Sequence, residues 1–145
     1  MTLKDFLKKN HYQLNYNDCL ILFTYLVDQI RTLKEKNKII PFFSIENIVK
    51  INDAWKFNNQ NKIFNIDDNT IFPDKNDFTP PEENYTYKSG LYSLACLITF
   101  CLTNKREHTS SEILSTLKPI YATKLYWALK RLLKDDPNER VLLMI

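Results

Sequence analysis

The sequence predicts a mainly α-helical domain with one small β-hairpin. Apolar residues recur at intervals of three and four toward both ends of the chain, Thr and Asn cap residues stand just ahead of those runs, and only two short apolar alternations lie between them. At 145 residues and 44% hydrophobic content, one core and one domain, 1–145, are expected.

The elements follow in order. Thr2-Leu3-Lys4-Asp5 predicts the capped start of a short helix to about Lys9. Asn15 to Asn17 precedes Leu20, Phe23, Val27, Ile30 and Leu33, whose spacing predicts a long amphipathic helix over about 17–36. Residues 46–51 and 62–66 alternate apolar and polar around an Asn-rich stretch at 58–61, which predicts that these two runs pair as the hairpin. Pro73, Pro80 and Pro81, interspersed with six acids, predict an irregular segment over 67–84. Tyr87 to Leu102 is apolar almost all round, the pattern of a central buried helix. Thr109-Ser110-Ser111-Glu112 caps a helix to about Leu117. Ile120 to Leu133 is amphipathic through Leu125, Trp127, Leu129 and Leu132, and Pro137 opens a last helix to Met144.

Composition excludes several function classes. The chain has one glycine, where average usage gives about ten, so it has neither a P-loop nor a dinucleotide fingerprint. His11, His108, Cys19, Cys96 and Cys101 show no metal-ligand spacing, and neither histidine has neighbours that complete a catalytic triad. Cys96 and Cys101, on the apolar helix, are expected in the core. Three cysteines make no disulfide framework and point to a reducing compartment, so the cytosol is expected, or a host cytosol for a viral or parasite protein. Residues 1–14 lack the apolar core of a signal peptide, and the longest apolar run, Leu91 to Leu102, is too short to span a bilayer, so no membrane partner is expected. The richness in Lys, Asn and Ile is that of an AT-rich genome.

Charge is unevenly spread. The net charge is +3, but Asp67, Asp68, Asp74, Asp77, Glu82 and Glu83 against Lys75 make residues 65–84 strongly acidic between two mildly basic flanks. The basic excess is dispersed, with four arginines, so no nucleic-acid partner is expected. The acidic segment reads either as a solvated loop or as the border of a groove for a basic peptide. Trp55, beside a polar hairpin, is the better partner-contact residue of the two tryptophans; Trp127 is expected in the core or as a groove anchor.

Several strings in this order resemble the C-terminal lobe of a protein kinase. Leu3-Lys4-Asp5-Phe6-Leu7 is similar to the family's first C-lobe helix, and the segment to Lys36-Asn37 to the long helix before its catalytic loop. Glu46-Asn47-Ile48 resembles the tail of that loop, and Phe78-Thr79-Pro80-Pro81-Glu82 the Ala-Pro-Glu motif that closes the activation segment. Lys88-Ser89-Gly90-Leu91-Tyr92-Ser93-Leu94-Ala95-Cys96 is similar to the start of the large buried helix, and Leu132-Leu133-Lys134-Asp135-Asp136-Pro137-Asn138-Glu139-Arg140 to the ending Leu-x-x-Asp-Pro-x-x-Arg. The resemblance implies a kinase C-lobe with no N-lobe, most similar in kind to the kinase non-catalytic C-lobe domain (KIND), a peptide-binding module, and to truncated viral kinase mimics.

The departures from that pattern govern the function it implies. Counting back from Asn47, the family's catalytic Asp falls on Phe42 and its catalytic-loop Lys on Ser44. Its magnesium-binding Asp falls on Asn65, a neutral amide, with Asp67 and Asp68 nearby; the buried Asp that braces the catalytic loop falls on Gly90. In the family the Glu of Ala-Pro-Glu pairs with the last Arg, which implies a structural ion pair between Glu82 and Arg140. The expectation is a catalytically inactive pseudokinase-like module with no catalytic residue, cofactor, nucleotide or metal. It is expected to bind a protein partner, a basic peptide segment or a kinase, through Trp55, Asp67, Asp68, Asp74, Asp77 and Glu83, in an oligomeric state the sequence leaves open. The alternatives are a residual kinase completed by a partner chain and a helical regulator unrelated to kinases, which a wide separation of Glu82 and Arg140 would favour.

Overall fold

The computed structural model describes residues 1–41, 43–58, 63–65, 78–82, 84–106 and 109–142. They form five α-helices: α1 (Leu3–Lys9), α2 (Tyr16–Glu35), α3 (Tyr87–Thr103), α4 (Ser110–Ser115) and α5 (Lys124–Leu132). Four short strands accompany them: β1 (Lys38–Ile39), β2 (Ile48–Ile51), β3 (Ala54–Phe57) and β4 (Phe64–Asn65). Each helix starts on a side chain that accepts from a free backbone N–H of its first turn: Thr2 from Asp5, Asn15 from Asp18, Thr86 from Lys88, Thr109 from Glu112 and Thr123 from Tyr126.

Helix α3 is the axis of the core. Every residue from Ser89 to Cys101 is buried, and α3 packs against α2 on one side and α5 on another. Helix α2 turns Cys19, Leu22, Phe23, Leu26, Val27 and Ile30 inward, and α5 turns Leu125, Ala128, Leu129 and Leu132. The polar side chains inside α3 all find hydrogen-bond partners. Thr99 Oγ1 donates to the Ala95 carbonyl at 2.8 Å, and Ser89 and Ser93 bond outside the helix, so burial leaves no orphaned hydroxyl there. All three cysteines are free and buried; desolvation pushes the Cys19 and Cys96 thiols up to about 12 and raises Cys101 well above the ordinary thiol value. No described helix is long and apolar enough to cross a membrane.

The sheet differs from expectation. The run at 46–51 does not pair with the described part of the run at 62–66, residues 63–65. Strand β2 turns at once into β3, with Ile51 opposite Ala54 and Ile48 opposite Phe57, while β4 pairs with β1. The turn is Asn52-Asp53, both left-handed at φ 51° and 63°, the conformation of a two-residue type I′ hairpin. Helix α2 fixes this hairpin from behind: Gln29 Nε2 donates to the Trp55 carbonyl at 2.6 Å and its Oε1 accepts from Phe57 N at 3.0 Å. On the other side Lys50 N donates to the Met1 carbonyl at 2.8 Å.

Two helix expectations need correction as well. The helix expected from Ile120 starts at Lys124, because Ala122 at φ 68° breaks the chain direction and Thr123 begins a new cap. Of the last helix, expected over 137–144, the described residues, which end at 142, form a single 3-10 turn at Pro137–Glu139. Arg140 leaves it in extended backbone because its side chain is drawn into the core.

Candidate functional site

The most highly organised polar group joins the end of the segment before α3 to the end of the chain. The Arg140 guanidinium is fully buried, and all five of its N–H groups have acceptors. Nε donates to the Lys134 carbonyl at 2.8 Å. Nη1 donates to Glu82 Oε2 at 2.7 Å and the Lys88 carbonyl at 3.1 Å, and Nη2 to Glu82 Oε1 at 2.8 Å and the Asp135 carbonyl at 3.3 Å. Five donors in a rigid fork meeting five oxygens is the geometry that lets a guanidinium leave water. The Tyr92 ring closes the site, 4.7 Å from the guanidinium carbon.

Glu82 is held as firmly. Ser89 Oγ donates to Glu82 Oε2 at 2.7 Å, and Thr86 N donates to the same hydroxyl at 3.0 Å. Burial alone raises the Glu82 carboxyl, but the hydrogen bonds from Arg140 and Ser89 and the guanidinium charge outweigh it and hold the pKa below the ordinary 4.5. The pair is therefore ionised at neutral pH and doubly hydrogen-bonded, a locking group rather than a reactive one.

A second cluster sets the loop between β1 and β2 against α3. Gly90 faces the Ile40 carbonyl so closely that a Cβ at this position overlaps that oxygen. Three residues on, Ser93 Oγ accepts from Phe43 N at 3.4 Å, and the Phe43 ring, fully buried, stacks edge-on to Phe57 at 4.7 Å. Asn47 Oδ1 accepts from both Ser44 N at 2.8 Å and Ser44 Oγ at 3.1 Å. Both lone pairs of that amide oxygen are thereby committed to the loop.

The structure thus brings Glu82 to Arg140, Ser44 to Asn47, and Gly90 to the loop at Ile40. Asn65 lies apart from these, at the end of β4 opposite Lys38. Trp55 requires correction as a partner contact. It is 3% exposed, its ring meets Phe6 of α1 edge-on at 5.3 Å, Lys50 of β2 covers it, and Gln29 of α2 holds its backbone carbonyl. The exposed tryptophan is Trp127, at 47%. Phe42, Asp67, Asp68, Asp74, Asp77, Glu83 and His108 lie outside the described residues. Sequence reasoning missed Ser89, Tyr92 and Ser93. Their signal was present as two serines four residues apart, flanking Gly90 on an otherwise apolar helix.

Among the described residues no three His, Cys, Asp or Glu side chains converge as a metal site. One further concavity stands out. Leu20, Ile21, Thr24, Tyr25 and Asp28 of α2, with Asp53 of the hairpin turn, line a groove of about 690 Å³. Protein-family models and curated proteins give no match to the chain.

Proposed function

We propose that the chain is a kinase-like C-lobe without phosphoryl-transfer chemistry that acts as a protein-interaction module. The observation that carries the reading is the Glu82–Arg140 pair: two motif positions 58 residues apart meet in a bidentate ion pair whose guanidinium is fully buried, the tie that the resemblance to the kinase C-lobe implies. A wide separation of the two would instead have favoured a helical regulator unrelated to kinases. The loop at the position of the catalytic loop supports the same reading. Its Asn47 oxygen is occupied by Ser44 instead of being free for a hard cation, and Gly90 has no room for the carboxylate that braces that loop in kinases.

The scaffold offers a partner the α2 groove. Its floor is apolar, its edge carries Asp28 and Asp53, and Ile21 and Tyr25 stand 49% and 40% exposed. Such a surface suits a peptide with alternating apolar and basic residues, and the acidic composition of 65–84 adds attraction of the same sign.

Thermal melting with magnesium-ATP, and titration with a labelled Leu/Lys-alternating peptide, tests the reading. The expected outcome is no nucleotide shift, together with saturable peptide binding that weakens when Asp28 and Asp53 are changed to Asn. A magnesium-ATP stabilisation near the roughly 2.7 kcal/mol that linkage gives at a hundredfold excess over Kd overturns it in favour of a nucleotide-dependent enzyme.

A further inference from the structure

We infer that the outward face of α5 is a docking surface for an anionic lipid bilayer, separate from the peptide groove. While Leu125, Ala128, Leu129 and Leu132 are buried, Lys124, Trp127, Lys130 and Arg131 recur at three and four residues and share the opposite face. Trp127 is 47% exposed at the centre of that face, and Lys130 Nζ lies 5.0 Å from its ring centroid. Tyr121, 50% exposed, extends the patch: its ring lies 4.7 Å from Tyr126, which in turn meets Trp127 edge-on at 5.6 Å.

Charge complementarity selects the occupant. From Ile113 to Lys134 the chain carries Lys118, Lys124, Lys130, Arg131 and Lys134 and not one acid. The acids that border this run, Glu112 and Asp135, keep their charge but turn toward α4, where Glu112 accepts from Thr109 Oγ1 at 2.7 Å and Asp135 from Ser110 Oγ at 2.6 Å, leaving five cations to two acids from 112 to 135. A cationic face thus surrounds an exposed Trp–Tyr cluster. Tryptophan and tyrosine favour the depth of lipid headgroups, and basic residues are drawn to an anionic leaflet.

The competing occupants fit less well. A nucleic acid needs open ring faces for base stacking, whereas Lys130 sits over Trp127 and Tyr121 leans on Tyr126. An acidic peptide needs a recess, whereas these side chains stand on the convex side of a helix. Lipids rearrange around a convex patch; this contact is peripheral, with α5 far too short to span, so it departs from the expectation of no membrane partner, which rested on the lack of a spanning segment.

Sedimentation with phosphatidylcholine vesicles, with and without phosphatidylserine, tests the inference. The full chain is expected to bind the phosphatidylserine vesicles, lose binding as salt rises, and shift its tryptophan emission to the blue, with buried Trp55 as a constant background. Trp127→Ala is expected to abolish the emission shift and weaken binding. Lys124→Gln with Lys130→Gln is expected to weaken binding roughly thirtyfold, with thermal stability unchanged in all variants because the altered side chains face outward. Equal binding to both vesicle types, undiminished binding by these variants, or tighter binding of single-stranded DNA or polyglutamate at the same face overturns it.

Discussion

At Gly90, two physical preferences oppose each other. Helix propensity favours alanine over glycine by about 0.5 to 1 kcal/mol, and the residue sits at the fourth position of α3 with φ in the ordinary negative range. The missing side chain is required by the neighbouring backbone, because the Ile40 carbonyl occupies the space a Cβ needs. Gly90→Ala is therefore expected to destabilise by about 1 to 3 kcal/mol, the range for overpacking a core, read as a lower Tm in thermal melting. A higher Tm would mean that the loop at Ile40 yields and that propensity wins. The same scarcity of glycine shows elsewhere in the opposite sense. His11, Tyr12, Asn37, Asn52, Asp53, Asn104 and Ala122 all adopt positive φ, and Asn and Asp tolerate it best because their short side chains bond locally.

Among the elements, the β2–β3 hairpin shows why part of the fold was hidden in the sequence. Its two left-handed turn positions carry Asn52-Asp53 where a hairpin of this kind ordinarily shows Asn-Gly. The turn was unmarked, and the Asn-rich stretch further on drew the pairing to the wrong partner. Asp53→Gly should relieve the turn and raise stability by about 0.5 to 1 kcal/mol, a Tm increase of roughly 2 to 4 °C for each kcal/mol in a chain of this size; an unchanged or lower Tm would show the strain to be absent. The helices were legible because each signal was local: caps at Thr2, Asn15 and Thr109, and the unbroken apolar run of α3. Where an element ends through a distant contact, local signals fail. The residues after Glu139 would continue a helix by composition, but drawing the Arg140 side chain in beside Glu82 holds Arg140 itself in extended backbone. Helix α5 likewise starts late because of the backbone direction at Ala122, which no periodicity reveals.

Across the whole molecule, the Glu82–Arg140 group ties the approach to α3 to the segment after α5. Removing one partner leaves the other charge buried without its counterpart, at a cost of about 3 to 5 kcal/mol, a large share of the stability of a domain this size. Denaturant unfolding of Glu82→Gln, Arg140→Met and the double variant is expected to show each single change costing that much and the double change costing clearly less than their sum; strict additivity would show the pair to be uncoupled. The pH dependence has a definite sign. With its folded pKa below 4.5, Glu82 contributes stability that is fully present above the unfolded value and is lost as pH falls through the folded one. Stability should therefore fall on acidification below about 4.5, and Glu82→Gln should remove that part of the slope. The two ends of this pair were legible in the sequence through motif order; the three further acceptors that complete it were not, since they are backbone carbonyls whose positions only the fold sets. The burial of Trp55, against its expected exposure, was hidden for a related reason: a polar neighbourhood in sequence says nothing of the side chains that close over a ring in space.

A contact between residues 58 apart also bears on time. Closing so long a loop is costly in chain entropy, so the pair belongs to the late part of assembly, after the helices have met. Contacts made that late act on the exit from the native state and leave the entry almost untouched. Arg140→Met should accordingly speed unfolding with little change in the folding rate, so the pair sets how long each molecule stays folded once it has arrived.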